Sequence, residues 1–341
     1  MSSKKRKISG LSGLELDLAL TQLRKLRSSV IVEEVPESDP APADTFTDQL
    51  DSMIATLESR TNSPLSLSFS AADDTALERF NIVRKGLLYL HPEDTLRDAI
   101  ITSRIVGSDK LWSNDNMYKH LAFLASSFTD KNEISSRMVI DTFFFRSTAM
   151  VPPPQKVIVM LENQISTVYP RLSKMDTISG IVDYTAVVAN STIAENYIRI
   201  PPTLNQRYGG EMIAFFAAEA KASTIAVPLE GHLPQVLLEF VACAKHLGKS
   251  HIRGALTTGI KWHFIVVDLD ADGDGAEYWV SELIEWKTKR SSTSRERLVE
   301  GTSDESDPAL IAGILSSWIP ESFAEFIGDK WFFQQPGGGG V

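Results

Sequence analysis

Apolar residues recur at helical spacing through most of the first half of the chain, and the pattern changes after residue 150. Leu14, Leu16, Leu18, Leu20, Leu23 and Leu26 mark an amphipathic helix near the amino terminus. Thr47 to Arg60 and Asp74 to Leu90 predict two more helices, the second ended by Pro92. Leu96, Ile100, Ile101 and Ile105, then Tyr118, Leu121 and Leu124, carry the helical character across residues 94–147, with Asn114 or Asp115 as a cap. No repeat period runs through these segments, so a solenoid is not expected. Residues 47–150 read as a helical support or partner-binding region without chemistry of its own.

Pro152-Pro153-Pro154 punctuates the chain, and residues 151–334 read as an α/β (α+β) domain, a mixed sheet flanked by helices. Lys156 to Val168 is expected as a helix carrying Glu162, and Ile178 to Val188, rich in β-branched residues, as a strand. A loop rich in Asn, Pro and Gly covers about residues 190–210, and Met212 to Ala220 is apolar enough for a buried strand. Pro234 opens a helix that lasts to about Leu247 and is closed by Gly248. Ile252 to Leu256 and Trp262 to Leu269 predict a hairpin across Thr258-Gly259, and Glu277 to Trp286 a third strand. Trp318, Phe323, Phe326, Trp331, Phe332 and Phe333 are expected to pack on the core or on a partner, ahead of a flexible tail at residues 335–341.

Composition narrows the function classes. The 341 residues are 43% hydrophobic and 23% charged, a globular balance. The longest apolar runs fall well short of the ~20 residues of a membrane span, and no apolar signal core follows the amino terminus. With Cys243 the single cysteine, an internal disulfide and a cysteine-cluster zinc site are excluded, and an intracellular protein is expected. The net charge of −10 argues against a generally basic nucleic-acid binder. Part of that acidity is local: seven carboxylates and no Lys or Arg lie between Glu33 and Asp51, a disordered linker by composition. The Lys4–Lys7 cluster ahead of it reads either as a nuclear localisation signal or as a solubilising tip.

Several motifs fail on closer reading. Gly248-Lys249-Ser250 ends like a phosphate-binding loop, but Cys243 stands where that loop needs glycine. Asp270, Asp272, Asp274 and Gly275 begin like an EF-hand, but its twelfth position is Ser281, so a solvated hairpin turn is expected. His246 and His251 straddle a helix end, and no HExxH or GxSxG motif is present.

One constellation remains. Glu219-Ala220-Lys221 ends an apolar strand, and residues two apart in a strand share a face, so Glu219 and Lys221 project together. Asp183 is a carboxylate inside an otherwise apolar strand, costly there unless paired or metal-bound. Gln235 lies at the start of the helix that follows. A rival set, Asp268 with Glu285 and Lys287, leads into a polar loop with no amphipathic helix behind it.

Asp183, Glu219-x-Lys221 and Gln235, on strand, strand and helix, resemble the PD-(D/E)XK or restriction-endonuclease-like nuclease superfamily, and the trailing Gln its RecB-type branch. Pro228 to Gln235 and Arg253 to Gly259 ahead of Trp262 are similar to fungal proteins bearing such a domain. The resemblance spans about residues 155–290. It implies an αβββαβ core and a Mg²⁺ or Mn²⁺ held by Asp183 and Glu219, with the Ala220 carbonyl as a further ligand and Glu162 as an extra acid. Lys221 would position water or stabilise charge during hydrolysis of a nucleic-acid phosphodiester, DNA before RNA. The chain departs from the family pattern at Val182, which replaces the proline, and at Glu239, where the RecB-like pattern places an aromatic. Phosphate-tracking candidates are Lys245, Lys249, Arg253, Lys261 and the Lys287–Lys289–Arg290 cluster, extended by Arg295 and Arg297. The alternative is a catalytically inactive fold of this kind, a binding or scaffold module in which Asp183 simply pairs with Lys221.

Overall fold

The computed structural model describes residues 19, 21–27, 49–54, 65–129, 132–199, 214–222, 228–286, 289–290, 297–298 and 307–336. Residues 1–65 and 66–341 are separate compact units. The first contains helical segments at 21–27 and 49–54, with Arg27 paired to Asp51 at 2.5 Å. The Lys4–Lys7 cluster, Leu14, Leu16, Leu18, Leu20, most of the acidic linker and Gly337–Gly340 lie outside the described residues.

The second unit is a mixed α/β protein built on a ten-stranded sheet. Its elements are β1 (Ser66–Ser68), α1 (Asp74–Arg79), β2 (Ile82–Leu90), α2 (Glu93–Ile105), α3 (Asn114–Ser127), α4 (Glu133–Met150) and β3 (Gln155–Val168). There follow β4 (Thr177–Asn190), α5 (Ser191–Arg199), β5 (Ala214–Ala220), α6 (Leu233–Leu247), β6 (His251–Thr257), β7 (Lys261–Leu269), β8 (Ala276–Ser281) and β9 (Ile284–Glu285). A separate two-stranded ladder of β10 (Lys289–Arg290) and β11 (Arg297–Leu298) precedes α7 (Pro308–Trp318) and β12 (Phe332–Pro336). The sheet order is β1-β4-β5-β6-β7-β8-β2-β12, with β3 on β4 and β9 on β7.

Four expectations are corrected. The helix expected over residues 74–90 ends at Arg79, because Asn81 takes a left-handed φ of 55° and turns the chain into β2. That strand lies between β8 and β12, so a segment expected among the helices is part of the central sheet. The helix expected over 156–168 is the strand β3, paired with β4 along almost its whole length. Val157, Ile158, Val159, Ile165 and Val168 are β-branched, the signal that favours a strand there. The expected loop after residue 190 begins with the helix α5, and the strand expected over 277–286 breaks between β8 and β9. The β6–β7 hairpin, β4, β5 and α6 follow the sequence expectation, α6 with Pro at its start and a left-handed Gly248 (φ 64°) at its end.

Alternation along the strands creates two buried faces. Tyr184, Ala186 and Val188 of β4, Phe216 and Ala218 of β5, and Phe264 and Val266 of β7 join one core with α2, α3, α4 and α7. Trp318, Phe326, Trp331 and Phe332 are buried in the same core, so most of the carboxy-terminal aromatics pack as expected. Arg146, wholly buried on α4, donates to the carbonyls of Ser103, Val106 and Trp112 and so ties the turn after α2 to α4. On the other face α6 packs against β6, where Gly254 leaves room for the Phe240 ring.

A Cβ at Gly254 would stand 2.1 Å from the Phe240 ring and 2.5 Å from the Ala217 carbonyl. Gly254→Ala is therefore expected to lower the unfolding free energy by about 1–3 kcal/mol. Urea denaturation followed by tryptophan fluorescence checks this, and Phe240→Leu in the same chain should recover part of the loss.

Candidate functional site

β4 is where the site begins. β3 occupies one edge of β4 throughout, so β1 and β5 share the other, β1 at residues 177–179 and β5 at 184–188. Asp183 lies in the gap between them. The β4–β5 ladder ends at Tyr184 opposite Ala218, and the next opposed residues are Asp183 and Glu219. Directly opposite side chains stand on one face about 5 Å apart at Cβ. That face is the one covered by α6. The N–H of Ala220 donates to Asp183 Oδ2 at 2.9 Å, so the Asp183 carboxylate closes the ladder where the strands part.

Glu219 is 3% exposed. Its Oε1 accepts from Lys221 Nζ at 2.5 Å and from Gln235 Nε2 at 2.6 Å. Lys221 is held at the strand end by its own N–H, which donates to the Thr257 carbonyl at 2.8 Å. The Gln235 amide also donates to Glu239 Oε1 at 2.9 Å, one helical turn along α6. Glu239 is completely buried, and the second oxygens of Glu219 and Glu239 have no protein N–H or O–H donor. Burial first, then the Asp183 charge, pushes Glu219 up to about 7. Burial first and then Glu219 raise Glu239 well above the carboxylate range.

Asp183 is also raised, chiefly by burial, against the lowering effect of the Ala220 N–H and Arg137. Arg137, in the second turn of α4, donates to Asp183 at 2.6 Å, to Glu162 at 2.8 Å and to Glu133 at 2.9 Å. Three contacts aim it. The Tyr184 hydroxyl donates to Asp141 at 2.9 Å and lies 3.1 Å from the Arg137 carbonyl. Asn132 caps the helix through the Ser135 N–H at 2.8 Å. The Thr258–Gly259 turn lies so close that a Cβ at Gly259 would stand 2.9 Å from both the Ser136 carbonyl and Val139.

The structure thus brings Asp183, Glu219, Lys221 and Gln235 together. Glu162 is on a strand, not a helix, and its register puts it opposite Asp183, but it has a left-handed φ of 52° and bonds to Arg137. The rival set is not assembled. Asp268 pairs with His251 at one end of β7, Glu285 pairs with Lys261 at the other, and Lys287 lies outside the described residues. Seven residues of strand separate those ends, roughly 20 Å. Of the phosphate-tracking candidates, Arg253 is buried with its guanidinium over Trp318 and Phe326, which withdraws it from any phosphate. Lys245 donates to the Gly273 carbonyl, and Lys249 lies over the Phe323 ring. Arg295 lies outside the described residues, and nothing is described of the Lys289, Arg290 and Arg297 side chains. Asp274 of the rejected EF-hand bonds Arg171 and Ser173 instead of lining a cation loop. Sequence reasoning missed Arg137, Glu133 and the bridging role of Glu239. The i,i+4 spacings Glu133–Arg137 and Gln235–Glu239 were the available signals.

Among the described residues, no three His, Cys, Asp or Glu side chains are grouped to hold a metal. The donor set is therefore two carboxylates. Each Asp183 oxygen accepts a single hydrogen bond and Glu219 Oε2 accepts none from an N–H, so lone pairs remain on both. An ion that binds through one or two carboxylates and keeps several waters, as Mg²⁺ does, fits that set.

Asp183, Glu219 and Glu239 all have raised folded-state pKa values. Their contribution to stability is complete below the unfolded carboxylate range and is lost as pH rises through the folded values, for Glu219 about 7. In metal-free buffer the protein is expected to lose stability between pH 5 and pH 8, and Glu219→Gln should flatten that fall. Urea titrations across the range measure it; an unchanged slope in Glu219→Gln would remove the buried acid as its cause. In comparisons with known proteins, no family model matches the chain and no curated protein matches it.

Proposed function

We propose that the chain is a divalent-metal-dependent nuclease that hydrolyses phosphodiester bonds of DNA or RNA at the β4–β5 fork. The observation that carries the reading is Glu219 Oε1, which accepts from both Lys221 and Gln235 while Asp183 stands opposite. The order α4–β3–β4–α5–β5–α6–β6 also supports it, since apart from α5, inserted between β4 and β5, it reads helix, three strands, helix, strand. That is the core the resemblance implies, with Glu133–Met150 as its first helix.

Asp183 and Glu219 would hold the ion, with the Ala220 carbonyl as the further oxygen that the resemblance implies. A bound Mg²⁺ or Mn²⁺ supplies an acidified water and Lewis-acid contact with a phosphate oxygen. The protein's own groups do the rest. The Ala220 N–H fixes Asp183, and the Gln235 amide fixes Glu219 from above. Lys221 places a positive charge beside Glu219, where it orients water and offsets charge developing on phosphate. A nuclear address from Lys4–Lys7 and a partner for the amino-terminal helical region belong to this proposal. No helix among the described residues is long and apolar enough to cross a membrane.

The inactive scaffold has one specific observation in its favour. Arg137 already gives Asp183 an internal counter-charge at 2.6 Å. Cleavage of single- and double-stranded DNA and RNA with Mg²⁺, Mn²⁺ or EDTA separates the two readings. Wild type is expected to cleave, and EDTA, Glu219→Ala or Lys221→Ala to lower the rate by at least 100-fold. A folded wild type that cleaves none of these substrates would leave the scaffold reading standing.

A further inference from the structure

We propose that Arg137 is the resident cation of the metal-free site, and that a divalent ion is bound at Asp183 only by displacing its guanidinium. The inference rests on the metal-site reading above and concerns how that site is controlled.

Three carboxylates surround one guanidinium: Glu133 at 2.9 Å, Glu162 at 2.8 Å and Asp183 at 2.6 Å. They differ in setting. Side-chain exposure is 45% for Glu133 and 64% for Glu162, but 11% for Asp183. Arg137 itself is 27% exposed, so its head group sits at the boundary between the buried acid and solvent. A buried carboxylate stripped of its cation is strongly destabilising, so without metal Arg137 is the counter-charge of Asp183 at the strand fork. The exposed acids have a different use. They hold the guanidinium at the surface when it leaves Asp183, so displacement breaks one ion pair and retains two.

The geometry makes the competition direct. Arg137 Nη2 bonds Asp183 Oδ1, while the Ala220 N–H bonds Oδ2, so the Oδ1 side is where an incoming ion meets the guanidinium. Lys221 plays no such part, because its Nζ bonds Glu219 and its backbone is tied to Thr257. Arg137 is thus a positioning residue that sets metal occupancy, and ion affinity reports its role independently of catalysis.

The experiment is Mn²⁺ binding to the full chain, with free Mn²⁺ counted by electron paramagnetic resonance and thermal melts run with and without Mn²⁺. The variants are Arg137→Met, Arg137→Lys and Arg137→Met combined with Asp183→Asn. Arg137→Met is expected to bind Mn²⁺ about tenfold more tightly than wild type, and Arg137→Lys to fall between, since it keeps the charge with fewer directed bonds. Arg137→Met should melt lower than wild type without metal and regain more on adding Mn²⁺. Asp183→Asn should abolish the gain. If Arg137→Met fails to fold without metal, Arg137→Lys carries the comparison. Mn²⁺ affinity unchanged or weakened in both arginine variants would overturn the proposal, as would a gain that survives Asp183→Asn. Tighter Mn²⁺ binding without cleavage of any nucleic acid would uphold it and defeat the nuclease reading, whereas cleavage with unchanged affinity would do the reverse.

Discussion

Asp183 and Glu219 face each other where β4 and β5 part, and most of the surrounding structure offsets the cost of placing two carboxylates there. Neither is released to water: Glu219 is 3% exposed and Asp183 8%. Three of their four oxygens are met by a specific donor, and Glu219 Oε2 is met by none. Ala220 and Arg137 serve Asp183, and Lys221 and Gln235 serve Glu219. A third acid, Glu239, enters the same pocket from α6, where burial and the neighbouring Glu219 push its carboxyl well above its ordinary value.

Two close approaches of backbone hold the donors at that distance. Gly254 lets the Phe240 ring down onto β6, which seats the first turns of α6, and so Gln235 and Glu239, over Glu219. Gly259, with φ +82°, brings the β6–β7 turn against α4 beside Arg137. The carbonyl of Gly259 accepts from the indole nitrogens of both Trp262 and Trp286, at 2.9 and 2.7 Å, so the turn is itself anchored in the core. A site assembled this way depends on packing several residues from any charge. Its precision comes from helices pressed onto a sheet rather than from a mobile loop.

The balance of charge also shapes what the site can do. Asp183 and Glu219 each have an internal cation before any ligand enters, and one of these, Arg137, stands at the solvent boundary. Such a centre is stable without metal, which is what a dead scaffold would need and equally what an enzyme needs before loading. The distinction lies in whether the outer cation can leave, and the exposed Glu133 and Glu162 give it somewhere to go.

By itself the sequence determined the parts whose signal is local. A β-branched run marked β4 and an apolar run marked β5, and Pro234 with Gly248 bounded α6. The Glu-x-Lys spacing put Glu219 and Lys221 on one face, since a strand repeats every two residues whatever it pairs with. A lone Asp183 in an apolar run announced a buried charge. What pairs with what was decided only in three dimensions. β2 is a strand because β8 and β12, both far away in the chain, flank it, and β3 is one because it pairs with β4, the next strand along. Arg137 reaches Asp183 across 46 residues, and no spacing rule connects them. Side-chain direction is set by local backbone geometry, but hydrogen-bond partners and desolvation are set by which elements pack together, and that is a property of the whole fold.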